Sequence, residues 1–453
     1  MRAGEGIGVR PPAGRGEAVG SAWRARLLPR LPALVAVLAF AVFLVLFWRD
    51  RPAYDALLRA AGIPVVELPG TPHGQGGQPF FDTRFVLAQL QCWRRGIDVY
   101  AVNPCDPIGR LQDYSPLWLR LGFLPDGAGA VAPLGLALDL MFLASLFLLP
   151  PPAPRPAEIA VLSLAMVSSA TIFAMERGNT DLLVFAMCVV AGRLLAAAPW
   201  ARAAGYGVIL AAAALKFYPL AALAAALRER LRGLLAVCAV TAAAVAAFAW
   251  QFGAETQRAL ANTADSYFGL MWGAAGLPFG AGEILARMAP GRAMHALPPL
   301  LLAGLLLMAA VLAVRLARHA GFAAACAALP PPVACMLLLG AALVAGCFLT
   351  HQNISYRTVL LILELPGLLA LARAVRRSAA RIVLWMAVLG AVFLLWNPPG
   401  LLSSLAPFGW LVRQYLWWAH VTVSLAVLLC FGLESDAWRW LRRAGKPSPA
   451  TAG

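Results

Sequence analysis

The sequence predicts an all-α, polytopic membrane protein, and three observations carry that expectation. Hydrophobic residues fill 61% of the 453 positions and charged residues only 13%, too apolar a balance for a soluble chain that must surround each core with charged surface. Apolar runs recur along the chain, and about 20 residues rising ~1.5 Å each are enough to cross the roughly 30 Å hydrocarbon core of a bilayer. Basic residues gather in the short stretches between those runs, the asymmetry that orients membrane proteins.

Residues 1 to 30 read as a basic cytoplasmic tail, disordered over the Gly-, Arg- and Pro-rich 1 to 22. The run 31 to 48 is longer than a signal-peptide core and lacks an evident cleavage site, so it reads as a retained anchor. It opens a single transmembrane domain over 31 to 432, followed by a basic tail over 433 to 453. About ten full spans are expected, near 31 to 48, 128 to 150, 157 to 175, 180 to 198, 232 to 252, 296 to 314, 331 to 349, 357 to 373, 381 to 397 and 410 to 432.

The segment 203 to 228 is interrupted by Lys216-Phe217-Tyr218-Pro219, and proline disfavours an unbroken helix. Two half-helices meeting at Lys216 return Arg228, Arg230 and Arg232 to the side of the other basic loops. Those loops hold Arg155, Arg193, Arg202, Arg315, Arg318, Arg373, Arg376, Arg377 and Arg381. Both termini then lie inside. The large outer loops are 49 to 127 and 253 to 295, and the short outer turns fall at 176 to 179, 351 to 356 and 397 to 409. No strong internal repeat is visible.

The formal net charge of +16 would invite a nucleic-acid partner if it formed one basic surface; spread through inter-helix loops it serves orientation instead. Lys216 and Lys446 are the only lysines. Six of the eight cysteines lie in or beside apolar runs, where a thiol behaves as a small hydrophobe. Cys92 and Cys105 share a polar loop, where a disulfide is allowed if the loop is exported. No zinc-like spacing occurs, and neither metal nor cofactor is expected.

The polar residues gather on the outer side. Within residues 80 to 100, FFDTRFVLAQLQCWRRGIDVY, Phe81, Phe85, Ala88 and Cys92 recur at helical spacing and predict an amphipathic helix along the membrane surface. Asp82 at its start has two readings: an N-cap carboxylate, or a general base at the water–lipid boundary. In 103 to 118, NPCDPIGRLQDYSPLW, the spacing of Pro104, Pro107 and Gly109 favours an architectural role for Asp106 and Arg110, with Asp113 between them and the interface anchors Tyr114 and Trp118. In ERGNTD, Asn179 or Thr180 suits a helix cap and Asp181 the positive helix end. Glu176 and Arg177 can pair with each other, or Arg177 can hold a phosphate. Lys216 either snorkels to the interface or joins Arg177, His351 and Arg357 as donors to a phosphate leaving group. Asn353-Ile354-Ser355 matches a glycosylation acceptor pattern. Asp139 and Glu364 fall near the middle of spans, as structural acids or as coupling sites of a transporter or flippase for lipid-linked or small polar solutes.

Asp82 followed by Gly96 and Tyr100, then GNTDLLVF from Gly178, then LKFYPLAAL ending in a basic loop, give the chain a family likeness over residues 80 to 232. It resembles glycosyltransferase family 87, which includes polyprenol-phosphate-mannose-dependent α-mannosyltransferases, and departs from its usual second motif at Gly178-Asn179-Thr180-Asp181. The resemblance implies a C-type glycosyltransferase (GT-C) fold with its active site at the outer face. It implies a polyprenyl-phosphate sugar donor, a lipid or glycan acceptor and no obligatory metal. Asp82 matches the family's catalytic acid in the first outer loop. On this reading Asp181 supports it, and Arg177, Lys216, His351 and Arg357 bind the phosphate. The simplest location is a bacterial inner membrane.

Overall fold

The computed structural model describes residues 27–65, 78–125, 127–263, 266–288, 296–376, 378–396 and 408–444. The tail 1 to 22, Lys446 and most of the turn 397 to 409 lie outside the described residues.

The chain is a helical bundle of helices α1 (Leu31–Arg49), α2 (Arg51–Ala60), α3 (Phe81–Arg94), α4 (Val131–Leu146), α5 (Pro156–Met166), α6 (Ser169–Arg177), α7 (Asp181–Leu195), α8 (Pro199–Leu215) and α9 (Leu231–Ala261). A two-residue strand β1 (Met271–Trp272) leads to α10 (Gly276–Met288), α11 (Leu297–Ala317), α12 (Ala320–Ala327) and α13 (Pro331–Thr350). Strand β2 (Asn353–Ile354) follows, then α14 (Leu361–Ala374), α15 (Ala379–Trp396), α16 (Phe408–Leu433) and α17 (Asp436–Ala444). β1 and β2 pair antiparallel, Trp272 opposite Asn353. Among the described residues nine helical segments are long and apolar enough to cross a membrane.

The bundle is organised around α13, which buries 14 of its residues and packs on α7, α14, α16 and the 3-10 segment Tyr218–Arg228. Burial on every side explains its unbroken hydrophobicity, since a helix apolar all round has no face to give to water. α9 is the opposite case. In its most apolar window none of the residues is buried within the protein. It is tied near its end, where Glu255 pairs with Arg120 at 2.6 Å and Arg258 with Asp98 at 2.6 Å.

Several expectations need correction. The segment 180 to 198 forms only the 15-residue α7 and is not among the nine; the chain turns out of the helix after Leu195, ahead of Pro199. The segment 157 to 175 is one of the nine, Pro156–Arg177, but it is built of α5 and α6 with an interruption at Val167 and Ser168, where the Ser168 hydroxyl caps α6 through the N–H of Thr171. The span near 232 to 252 continues to Ala261 and consumes the start of the expected outer loop. The loop 49 to 127 contains α2 and α3, and the tail 433 to 453 contains α17.

α3 exists, but it is not a surface helix. Ten of its 14 residues are buried, because its apolar face packs on α4 and α6 and the polar side of Asp82, Thr83 and Gln89 meets protein as well. The interface-anchor reading of Tyr114 and Trp118 fails for a related reason: Trp118 is buried and donates to the Leu215 carbonyl at 3.1 Å, while Tyr114 packs edge-on to Phe85. Asn353 is buried and donates to the carbonyls of Cys347 and His351, so it offers no exposed acceptor for a glycan.

The expected break at Lys216 is present. α8 ends at Leu215 and a 3-10 segment runs from Tyr218 to Arg228. Pro219 has no N–H to give the Leu215 carbonyl, four residues back. That carbonyl accepts instead from Trp118, and the Ala214 carbonyl accepts from Ser115 at 2.6 Å. The loop before α4 thus satisfies the backbone groups that the break exposes, as a buried helix end requires.

Candidate functional site

The segments that the sequence predicts to lie outside converge on one end of α13. Its first turn lies at the opposite end, where Arg228 donates to the Pro331 carbonyl at 3.3 Å. Past its last turn come β2 and Arg357, beside Asp181 and Lys216.

Asp82 owes its place to Phe80 and two glycines. Phe80 precedes α3 in a left-handed conformation with φ 59°, which is strained for a non-glycine residue. Its N–H donates to the Glu176 carbonyl at 2.6 Å, and its ring occupies the space a Cβ on Gly135 would need, 2.4 Å away. Gly178 ends α6 at φ 54°, a left-handed cap that glycine adopts without steric cost. A Cβ there would meet Thr83 Oγ1 at 2.4 Å. Thr83 instead donates to the Gly178 carbonyl at 2.6 Å. The start of α3 is thereby pressed onto the turn that carries Asn179.

Asp82 is therefore not the helix cap. Phe80 holds that position without any side-chain bond, and Asp82 is the second helical residue. One carboxylate oxygen accepts from Asn179 Nδ2 at 2.6 Å and the other lies 3.4 Å from Arg110 Nη1. Arg110 is fixed by Asp106, which takes Nε at 3.1 Å and Nη2 at 2.8 Å, and it lies over the Phe81 ring at 3.9 Å. Asp106 and Arg110 are architectural, as the turn spacing suggested, and what they build is the setting of Asp82.

Asn179 links two halves of the site. Its Oδ1 accepts from the Asp181 N–H at 2.8 Å, in the turn that leads into α7, and from Lys216 Nζ at 3.3 Å. Asp181 is fully buried and accepts from Lys216 at 2.8 Å, Tyr218 Oη at 3.0 Å and Arg357 Nε at 3.1 Å. Arg357 also donates to Asn353 Oδ1 at 2.6 Å. Lys216 lies 4.5 Å from the Tyr114 ring centre and Arg357 4.7 Å from that of Tyr218. A buried carboxylate held by three donors positions cations; removing it would strand two of them, at a cost on the order of 3–5 kcal/mol.

Asp113 borders the same group from the loop. Burial pushes its carboxyl up to about 6; Lys216 pulls it back, Asp82 adds to the rise and Arg110 opposes it.

Of the residues picked from sequence, Asp82, Asp181, Lys216 and Arg357 come together. Arg177 stands to one side, pairing with buried Glu176 at 3.1 Å and donating to the Pro64 carbonyl. The Phe81 ring, 5.6 Å from its guanidinium, lies toward the Asp82 side. His351 is exposed at the end of α13, and among the described residues no bond joins its side chain to the cluster. Asn179 as a bridge, Arg110 as a partner of Asp82, and Tyr218 and Tyr114 as neighbours of the cations were missed; only the DPIGR punctuation and the position of Tyr218 near Lys216 gave any sign of them. Asp139 is fully buried with neither oxygen bonded, and Glu364 accepts from Ser424 with His420 at 3.4 Å; both lie inside the bundle. Among the described residues no group of three metal-ligating side chains forms.

No protein-family model, curated protein or solved structure matches the chain.

Proposed function

We propose that the chain is an integral membrane glycosyltransferase that moves a hexose, mannose in the simplest case, from a polyprenyl-phosphate donor to a hydroxyl of a lipid or glycan acceptor. The observation that carries this reading is the Asn179 amide, which donates to Asp82 on one side and accepts from Lys216 on the other. A carboxylate and a cation thus stand one side chain apart, the pairing a sugar transfer from a lipid phosphate needs.

In this mechanism the acceptor hydroxyl gives its proton to Asp82 while its oxygen bonds to the anomeric carbon. The bond from that carbon to the phosphate oxygen breaks, and polyprenyl phosphate leaves with the electron pair. Lys216 and Arg357 attract the departing charge, which is worth most in a site shielded from water. Asp82 keeps 12% of its side-chain surface exposed and Arg357 19%, whereas Asp181 is closed off and holds the cations in register. Arg110 is shared with Asp106, so it orients Asp82 without neutralising it completely.

The Cys92–Cys105 disulfide supports placing this end outside the cytoplasm, where such bonds persist. So does the cluster of Arg202, Arg228 and Arg230 at the other end of the bundle, the side expected to be cytoplasmic. A bacterial inner membrane with both termini inside fits this arrangement.

The test is transfer of labelled sugar from polyprenyl-phosphate donors by the purified chain. Asp82→Asn should fold normally and lose about 10²–10⁴-fold in rate. Full activity of that variant would sink the assignment. If no glycosidic bond forms and Asp139→Asn abolishes substrate-linked proton movement, the transport reading takes its place.

A further inference from the structure

A second polar cluster lies beside Arg357. Asn353, which accepts from Arg357, pairs with Trp272 across the short sheet, and three side chains press on the turn that follows. Arg413 Nη2 donates to the Met271 carbonyl at 3.3 Å. Gln352 lies against Gly273, where a Cβ would come 3.1 Å from its Nε2. Gln414 lies against Gly276, where a Cβ would come 2.9 Å from its Oε1. Gly273 and Gly276 are joined by a backbone bond of 3.0 Å, so the three groups share one small region. One turn further along α16, Trp417 stacks on Trp272 at 3.9 Å.

These side chains are closed in, at 7% exposure for Arg413, 5% for Gln352 and none for Gln414. Yet among the described residues Arg413 Nε and both polar atoms of each glutamine amide find no hydrogen-bond partner. Among the described residues no carboxylate lies within ion-pair distance of Arg413. A buried guanidinium without a counter-charge is unfavourable, and buried amides are normally bonded. A ligand with several anionic oxygens supplies the missing counter-charge and accepts from Arg413 Nε and from the Nε2 of each glutamine. Donors arriving from two chain segments, 352 and 413–414, suit a tetrahedral oxyanion better than a planar carboxylate, and guanidinium binds phosphate in a forked geometry.

We propose that Arg413, Gln352 and Gln414 form a phosphate-binding subsite separate from the Asp82–Lys216 pair. Its occupant is a phosphate group, either a lipid headgroup or free phosphate. The proposal stands on this geometry and does not require the transfer reaction.

The experiment measures binding of dioctanoyl phosphatidate and of inorganic phosphate to the full chain in detergent, with the melting temperature of the unliganded protein recorded alongside. Wild type should bind at least one probe saturably, and Arg413→Met should weaken that binding at least tenfold. Its unliganded melting temperature should equal or exceed that of wild type, because an uncompensated charge has been removed. Binding of phosphatidate alone assigns a lipid headgroup; equal Arg413-dependence for both probes assigns free phosphate. Gln414→Leu, which leaves Arg413 and its Met271 contact in place, should weaken binding several-fold. The proposal is overturned if wild type binds neither probe or if Arg413→Met binds as wild type does. It is also overturned if Arg413→Met melts lower or does not fold while Gln414→Leu binds normally.

Discussion

Asp113 shows how a single side chain makes this site pH-dependent. Burial raises its carboxyl from the ordinary 3.8 to about 6, so the folded chain prefers the neutral acid. Its contribution to stability is complete below pH 3.8 and is lost as the pH rises through about 6. Asp113→Asn should therefore gain melting temperature relative to wild type between pH 4 and 7, in thermal unfolding of the detergent-solubilised protein; a difference that stays flat across that range would contradict the assignment. At this scale the sequence was only partly legible. Asp82, Asp181, Lys216 and Arg357 stood out because charge in an apolar chain is conspicuous. Arg110 did not, since its role depends on reaching Asp82 across 28 residues, a contact that no local spacing encodes. His351 stands apart from them, exposed at the end of α13, because membership of a polar turn says nothing about which way a ring faces.

At the scale of elements, the break at Lys216 was readable because Pro219 forbids a specific bond. The repair by Ser115 and Trp118 was not, because it joins segments about a hundred residues apart. α3 shows the same division: its apolar period gave the helix, but only tertiary packing decided that the polar face would be buried as well. The Cys92–Cys105 bond closes the end of α3 onto the loop that carries Asp106 and Arg110, with a separation of 13 residues. A loop of that size contributes about 3 kcal/mol in the chain-entropy account. Cys92→Ser and Cys105→Ser should each lower the melting temperature, and reductant should lower that of wild type but leave the variants unmoved. Equal melting temperatures with and without reductant would show that the bond does not stabilise this loop.

For the whole molecule, the expected topology places the two ends of the bundle on opposite sides of the membrane. Phe123, 80% exposed in the loop beyond Trp118, and exposed Arg318 at the end of α11 report the two sides. The background should be low: five free cysteines are buried, Cys92 and Cys105 are bonded, and Cys238 lies in the apolar, unburied stretch of α9 expected to cross the membrane. A membrane-impermeant maleimide should label Phe123→Cys in intact cells and Arg318→Cys only after the membrane is opened. The reverse pattern would invert the topology.

The contrast between α9 and α13 bears on how freely each can vary. Along the midsection of α9 no residue is buried within the protein, so exchanges among Ala, Val and Leu disturb no packing that the helix depends on. In α13 the surroundings are other side chains: one methyl on Gly340 would come 2.7 Å from Glu364 Cγ, and one on Gly346 would come 2.6 Å from Ala221 Cβ. A deep mutational scan should therefore divide these two apolar helices into a permissive one and an intolerant one.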